Sequence, residues 1–196
     1  MLDFKRKCAA LLCLLSCCAA PWGSVARGET TGIRIGVKDI TGKAYSLPQA
    51  GQKATVLVFF AHDCPISNSY APEISRIAGD YSKRGVRTLV VYAEEDFDLA
   101  GARKHAKEYG FTMPVVWDSK LRLSHTLGAT VTPEVVVLSP GGKKLYQGRI
   151  DNRFLSYGKK RAEPSQRDLR GALDAIVKGQ PAPHAKTTAV GCFIPE

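Results

Sequence analysis

The sequence predicts an α/β fold with a central mixed β-sheet flanked by helices on both faces. Continuous runs of β-branched and aromatic residues, typical of strands buried on both faces, alternate with amphipathic helical segments. This alternation indicates a parallel sheet covered by helices, and a hairpin turning at Pro140–Gly142 adds antiparallel strands. The 196 residues correspond to about one domain, because domains usually span roughly 100–200 residues.

The first strands are predicted between residues 33 and 61. Apolar residues alternate weakly over 33–37, a turn is expected at 39–43, and residues 44–47 return, which predicts a β-hairpin. A loop over 48–53 leads into the apolar run 55–61, which has the composition of a strand buried on both faces.

A long helix is predicted over 65–84, because its apolar residues recur with helical spacing and Gly85 provides a stop. Pro72 lies inside this segment and removes one backbone hydrogen bond, so we expect a kink there or a helix break near Ala71. A second buried strand follows over 86–93.

The same criteria assign the rest of the chain. Helices are predicted at 99–109, 121–127 and 165–177, and strands at 113–117, 134–138 and 144–150. Residues 179–196, which contain three prolines, are expected to form a C-terminal tail.

The N-terminus has the three-part layout of a secretory signal peptide, predicted at residues 1–26. The basic cluster Lys5–Lys7 precedes the apolar run Cys8–Ala20, which is short for a membrane span, and small residues allow cleavage after Ala20 or Ala26. A lipoprotein signal ending at Cys17, which would attach the protein to a membrane by an N-terminal lipid, and an uncleaved anchor helix are the alternatives. We therefore expect an exported, periplasmic protein.

Charge and cysteine content narrow the classes of function. The net charge is +10, but the basic residues are dispersed and aromatic residues do not interleave with them, which favours a solvated surface over a nucleic-acid site. Of the six cysteines, those in the signal would leave with it, and the mature chain keeps Cys64 and Cys192. In an oxidising compartment two such thiols either pair or are kept free for a reason.

Cys64 is the main candidate for chemistry. It follows the buried strand at 55–61 and opens the predicted helix, where Pro65 suits the first helical position. A thiol at a helix N-terminus faces unpaired N–H groups that favour the thiolate, the nucleophilic form of cysteine. Desolvation by Phe59 and Phe60, and the negative charge of Asp63, act in the opposite direction.

Several short motifs surround these positions. They are Cys64-Pro65-Ile66-Ser67-Asn68, Tyr70-Ala71-Pro72, Thr132-Pro133-Glu134, Gly148-Arg149-Ile150-Asp151 and Gly191-Cys192. In this combination the sequence resembles the thioredoxin fold and, within it, the exported peroxiredoxin-like redoxins related to AhpC/TSA proteins. The resemblance spans residues 33–178, the predicted redoxin domain, and implies an N-terminal β-hairpin and a peroxiredoxin-type insertion around 99–127.

The resemblance implies a thiol–disulfide oxidoreductase that needs no cofactor and no metal. The partner would be a thiol- or disulfide-bearing protein or a small thiol. The Cys64 thiolate would attack a disulfide or oxidised sulfur on the partner, with the Thr132-Pro133 loop, a candidate cis peptide, holding the partner's backbone. Ser67 stands where thioredoxins have their second cysteine, so Cys192 is the candidate resolving thiol. A peroxiredoxin would have its attacking cysteine at that same position, which leaves peroxidase activity open.

Two further residues near these motifs are candidates for supporting roles. Arg149 would stabilise the thiolate and Asp151 would accept protons, or both are ordinary surface or salt-bridged residues.

Other classes of function remain open at this stage. His62, Cys64 and Cys192 together would offer a soft site for copper(I), as in thioredoxin-fold copper chaperones, although the Cys-x-x-x-Cys motif of those proteins is missing. A non-catalytic binding module that keeps the fold is another alternative. The less reactive interpretations are that Cys64 is a small core residue, that Cys192 lies in a disordered tail, and that His62 is solvated. His105 and His125 are expected on helix surfaces, and no feature specifies an oligomeric state.

Overall fold

The computed structural model describes residues 32–196, and these form one compact unit. The predicted signal peptide and lipoprotein signal lie outside the described residues. Within the described part of the chain, no helix is both long and apolar enough to cross a membrane.

The elements occur in the following order along the chain. They are β1 (Ile35–Lys38), β2 (Ala44–Leu47), β3 (Ala54–Phe60), α1 (Pro65–Ser82), β4 (Val86–Tyr92), α2 (Leu99–Glu108), β5 (Val115–Trp117), α3 (Arg122–Leu127), β6 (Val131–Thr132), β7 (Glu134–Leu138), β8 (Lys144–Gly148), β9 (Phe154–Ser156), β10 (Lys159–Lys160), α4 (Asp168–Val177) and β11 (Cys192–Phe193).

Five strands form the central sheet in the order β5-β4-β3-β7-β8. Strand β4 runs parallel to β3 and β5, whereas β7 is antiparallel to both β3 and β8. The predicted mixed sheet is therefore confirmed, and β3 lies at its centre. All of β3 is buried because both faces of the sheet are covered.

Alternate residues of β3 enter two different hydrophobic clusters. Val58 and Phe60 pack with residues of α1, α2 and α4 on one face. Leu57 and Phe59 pack with residues of the β1–β2 hairpin and α3 on the other face. The period of two along a strand produces this division. The result is a thioredoxin-like fold with the expected N-terminal hairpin and with α2, β5 and α3 inserted between β4 and β7.

The structure corrects several details of the sequence-based prediction. Helix α1 continues through Pro72 to Ser82 without a break, because the buried residues Ile74 and Ile77 extend its apolar face beyond the proline. The two-residue strands β6 and β11, and the β9–β10 hairpin, were not predicted, since such short elements carry no recognisable periodicity.

Residues 179–196 also differ from the expected tail. The backbone of Gln147 in β8 exchanges hydrogen bonds with Ala185 and Thr187, so this segment returns along the edge of the central sheet. It then delivers Cys192 to β6, with which β11 pairs.

Candidate active site

Cys64 occupies the N-cap position of α1, with extended backbone angles of φ −80° and ψ 113°, and Pro65 begins the helix. These two predictions are confirmed. Cys64 itself is only 1% exposed, although its neighbours Asp63 and Pro65 are exposed. Its Sγ donates a hydrogen bond to the carbonyl oxygen of Thr132 at 3.2 Å, so the thiol faces the loop that carries Pro133.

The Thr132-Pro133 peptide bond is cis, as predicted. It joins β6 to β7, next to the centre of the sheet, where Glu134 of β7 pairs with Phe59 of β3. Thr132 itself is buried. The Thr132-Pro133 loop therefore lies beside the C-terminal end of β3, from which the chain continues to Cys64.

The C-terminal segment, residues 191–195, lies directly on this loop. Cys192 is paired with Thr132 and Phe193 with Val131 in an antiparallel ladder, and the Ile194 N–H donates to Thr130 at 3.0 Å. Cys192 is partly exposed, and both cysteines are free thiols. The interpretation of Cys192 as an inert thiol in a disordered tail is not supported by this pairing.

Two residues explain why the C-terminal segment settles here. Ile194 is 7% exposed and belongs to the cluster formed with α3, and burial of an aliphatic side chain contributes about 1.5–3 kcal/mol. Gly191 permits the close approach, because a Cβ atom at this position would lie 2.0 Å from the carbonyl oxygen of Thr132. Gly191 was noted in the sequence only as part of a motif.

Hydrogen bonds decide the ionisation of Cys64. Burial alone would raise the pKa of this thiol, but hydrogen bonds from the Cys192 thiol and from the backbone and hydroxyl of Ser67 outweigh burial, so the pKa of Cys64 is lowered. Ser67 is fully buried, and its hydroxyl lacks an oxygen or nitrogen partner among the described residues. It is therefore available to the sulfur.

The pKa of Cys192 moves in the opposite direction. Burial, the hydrogen bond to Cys64 and the negative charges of Cys64 and Asp63 raise the pKa of Cys192 to about 12. Of the two thiols, Cys64 is therefore the first to ionise as the pH rises, while Cys192 keeps its proton. This arrangement gives one nucleophilic sulfur and one protonated sulfur in hydrogen-bonding reach of it.

The pH dependence of alkylation at Cys64 tests this assignment. Because the thiolate is the reactive form, the rate should rise with pH and reach half its maximum below the pKa of a free thiol. Cys192→Ala removes a hydrogen-bond donor and should shift this midpoint to higher pH, whereas Cys192→Ser keeps an O–H donor and should shift it less. Peptide-resolved mass spectrometry of the reduced protein gives the midpoints. Identical midpoints in the wild type and Cys192→Ala would contradict the role assigned to Cys192.

A polar network fixes the loop that precedes Cys64. Glu94 accepts a hydrogen bond from the His62 N–H at 2.6 Å, and its other oxygen lies 2.8 Å from His62 Nδ1. Asn68 donates to the His62 carbonyl at 2.7 Å. Burial raises the pKa of Glu94, although its hydrogen bonds to His62 act against this. His62 is thus held by partners rather than simply solvated.

His105 belongs to the same network, although we expected it on a helix surface. It is 8% exposed, its Nδ1 lies 2.7 Å from the hydroxyl of Tyr92, and its Nε2 lies 3.1 Å from Asn68 Oδ1. Burial, together with the nearby His62, lowers the pKa of His105. Sequence patterns do not reveal this burial, because α2 is short and largely polar, so its buried face is narrow.

The hydrogen bonds of Arg149 and Asp151 involve neither of the two sulfur atoms. The Arg149 guanidinium bonds to Asp168 at 2.8 Å and to Gln166 at 2.8 Å. The Asp151 carboxylate accepts hydrogen bonds from the Tyr70 hydroxyl and the Arg153 N–H. Burial is the largest cause that raises the pKa of Tyr70, and the hydrogen bond to Asp151 raises it further. These contacts give no support for thiolate stabilisation by Arg149 or proton transfer by Asp151.

The residues expected to bind copper(I) are not grouped together. Within residues 32–196, the cluster of metal-ligating side chains is His62, Asp63 and Glu94, whose ligand atoms lie within 4.8 Å of one another. This cluster contains neither cysteine. Its nitrogen and oxygen atoms are not the soft ligands that copper(I) prefers.

Comparisons with known proteins agree with the fold. The thiol-disulfide oxidoreductase ResA of Halalkalibacterium halodurans is 24% identical over 134 residues, covering 67% of this chain and 75% of that protein. The crystal structure of a hypothetical protein from Sinorhizobium meliloti has a TM-score of 0.74 at 23% identity, covering 84% of this chain and 92% of the other.

The solution structure of a proposed thioredoxin from Neisseria meningitidis has a TM-score of 0.60 at 23% identity, covering 76% of this chain and 90% of that one. It shares the fold. The model of the AhpC/TSA family matches residues 31–146, more than half of the sequence. The chain therefore belongs to the AhpC/TSA family.

Proposed function

We propose that this protein is an exported thiol–disulfide oxidoreductase in which Cys64 and Cys192 form the redox pair. The observation that carries the proposal is the arrangement of the two thiols. Cys64 Sγ donates a hydrogen bond to the Thr132 carbonyl, and Cys192 is paired with the same residue in the ladder on the cis-proline loop. The likeness to a relative named thiol-disulfide oxidoreductase supports the same activity.

The substrate reaction begins at Cys64. Its thiolate attacks a disulfide of a partner, which forms a mixed disulfide and releases one partner thiol. Because Cys64 is 1% exposed, the partner reaches it when the C-terminal segment moves away from Thr132. Cys192 then attacks Cys64, so a Cys64–Cys192 disulfide forms and the second partner thiol leaves.

The proposed activity is disulfide exchange rather than peroxide reduction. The position at which a peroxiredoxin has its attacking cysteine is Ser67, which is buried. Its hydroxyl serves instead as a hydrogen-bond donor to the Cys64 thiolate. No metal or cofactor takes part in the proposed reaction.

Export is proposed from the layout of residues 1–26. Cleavage after Ala20 or Ala26 releases the protein into the periplasm, and a lipoprotein signal ending at Cys17 anchors it to the membrane facing the same compartment. An oxidising compartment is consistent with a pair of cysteines that alternate between dithiol and disulfide.

Trapping of partners tests the proposed function. In Cys192→Ser the resolving thiol is missing, so mixed disulfides through Cys64 should accumulate in cells and disappear on reduction. Cys64→Ser is the matched control and should trap no partner by this route. The wild type, oxidised with diamide, should lose two hydrogens in intact-mass measurements and show a Cys64–Cys192 peptide pair. A protein that forms neither the internal disulfide nor mixed disulfides would not be an oxidoreductase of this kind.

A further inference from the structure

We propose that the β9–β10 hairpin docks the protein onto a membrane surface that carries anionic lipid headgroups. Among the described residues, β9 and β10 pair only with each other. The hairpin turns at Tyr157 and Gly158, and Gly158 has a positive φ of 75°. The proposal concerns where the protein is held, so it does not depend on the redox chemistry of Cys64 and Cys192.

The first observation is the exposure of apolar side chains at the tip of the hairpin. Leu155 is 45% exposed and Tyr157 is 70% exposed, and they are two of the five large hydrophobic side chains that are exposed within residues 32–196. Burial of such side chains by a partner is favourable. Tyrosine is enriched at the level of lipid headgroups, because its ring is apolar and its hydroxyl is polar.

The second observation is the positive charge around this tip. Residues 153–161 contain four basic side chains and no acidic one. In the part of the chain that the structure describes, no carboxylate forms an ion pair with Lys159, Lys160 or Arg161. Each lysine or arginine close to an anionic membrane strengthens binding roughly fivefold. The charge and the exposed apolar side chains thus lie on the same short hairpin.

The base of the hairpin is held by the rest of the protein. The ring of Phe154 packs against that of Tyr70, with centroids 5.5 Å apart. The Arg161 N–H donates a hydrogen bond to the Arg153 carbonyl at 2.8 Å, and the Arg161 guanidinium donates to the Asn152 carbonyl at 2.7 Å. The tip is therefore presented from a fixed position, so docking costs less conformational entropy than the ordering of a flexible loop.

The size of the exposed surface favours a membrane over a protein partner. A stable protein interface takes about 20–30 residues from each side, whereas the tip consists of the six exposed residues 155–160. Binding at a membrane surface requires only that a few apolar side chains enter the headgroup region beside basic residues. The long stems of Lys159 and Lys160 let their ammonium groups reach headgroup phosphates while Tyr157 enters between the lipids.

Vesicle sedimentation tests the proposal without an N-terminal lipid. Residues 32–196 form one compact unit, so a chain that lacks residues 1–26 keeps the hairpin in place. Its Kd should be at least tenfold lower for vesicles of equal parts phosphatidylglycerol and phosphatidylcholine than for phosphatidylcholine alone. Added NaCl should weaken binding, because salt screens the attraction. Equal binding to both kinds of vesicle, or binding to neither, would overturn the proposal and leave an acidic protein as the partner of this surface.

Two pairs of lysines separate the hairpin from the overall charge of the protein. Lys159→Ala combined with Lys160→Ala should weaken binding to the mixed vesicles about 25-fold, because each lysine contributes roughly fivefold. Lys104→Ala combined with Lys107→Ala removes the same charge from exposed positions of α2 and should change binding by less than about twofold. Equal losses in the two double variants would show that net charge rather than the hairpin attracts the vesicles.

Two exposed aromatic side chains test the apolar contribution. Tyr157→Ala should weaken binding to the mixed vesicles about tenfold, because its ring is no longer removed from water. Phe193→Ala removes a ring that is 88% exposed outside the hairpin, and binding should not change. If both variants lost the same affinity, the hairpin would not be the docking element. The hairpin variants should still form the Cys64–Cys192 disulfide in diamide, so a failure of docking is distinct from a failure of the proposed function.

Discussion

Gly191→Val is expected to slow the formation of the Cys64–Cys192 disulfide strongly. A Cβ atom at position 191 would lie 2.0 Å from the oxygen and 2.5 Å from the carbon of the Thr132 carbonyl. These are backbone atoms of the loop that ends in the cis-proline bond, so no side-chain rotation relieves the clash. Overpacking of this kind costs about 1–3 kcal/mol or more. Because about 1.4 kcal/mol is a factor of ten, a cost of about 2 kcal/mol, the middle of this range, should slow disulfide formation roughly thirtyfold.

The measurement is the rate at which the reduced protein loses its two thiols in diamide. Gly171→Ala is the matched control, because Gly171 lies in α4 and a Cβ atom added there would meet no heavy atom within 4 Å beyond its chain neighbours and its own helix backbone. Its oxidation rate should equal that of the wild type. If Gly191→Val oxidised as fast as the control, the close packing of the C-terminal segment on Thr132 would not be what brings the two cysteines together.

The central sheet and the position of Cys64 at the start of α1 were predictable from the sequence, because strong local signals indicate them. Strand β3 is an unbroken apolar run, and Cys64 stands at the point where strand periodicity gives way to helix periodicity. Pro133 was recognised through a motif. Each of these features depends on residues that are neighbours in the chain.

The rest of the site depends on contacts between distant parts of the chain. The pairing of Cys192 with Thr132 joins residues 60 positions apart through a two-residue strand, which has no periodicity to detect. The link between Glu94 and His62 likewise arises only when the ends of β3 and β4 meet. The burial of Cys64 could not be predicted for the same reason, since Cys192 and the segment around it lie at the far end of the sequence.

The position of this segment leads to the last prediction, for Ile194→Ala. Ile194 is 7% exposed within the cluster around α3, and replacing a buried isoleucine by alanine costs about 2–5 kcal/mol. We take the lower end, about 2 kcal/mol, because the segment lies at the protein surface. The open state, in which the C-terminal segment has moved away from Thr132, then becomes roughly thirtyfold more populated. Since Cys64 reacts from the open state, its alkylation should accelerate by a similar factor.

Phe193→Ala is the matched control for this prediction, because Phe193 is the next residue in the same strand and its side chain is 88% exposed. Its removal should leave the rate of Cys64 alkylation unchanged. The rates should be compared in reduced protein above the pKa of a free thiol, so that ionisation of Cys64 does not differ between variants. If Ile194→Ala reacted no faster than Phe193→Ala, anchoring of the C-terminal segment would not control access to Cys64. A thirtyfold difference between adjacent residues would instead show that one buried side chain holds the C-terminal segment over Cys64.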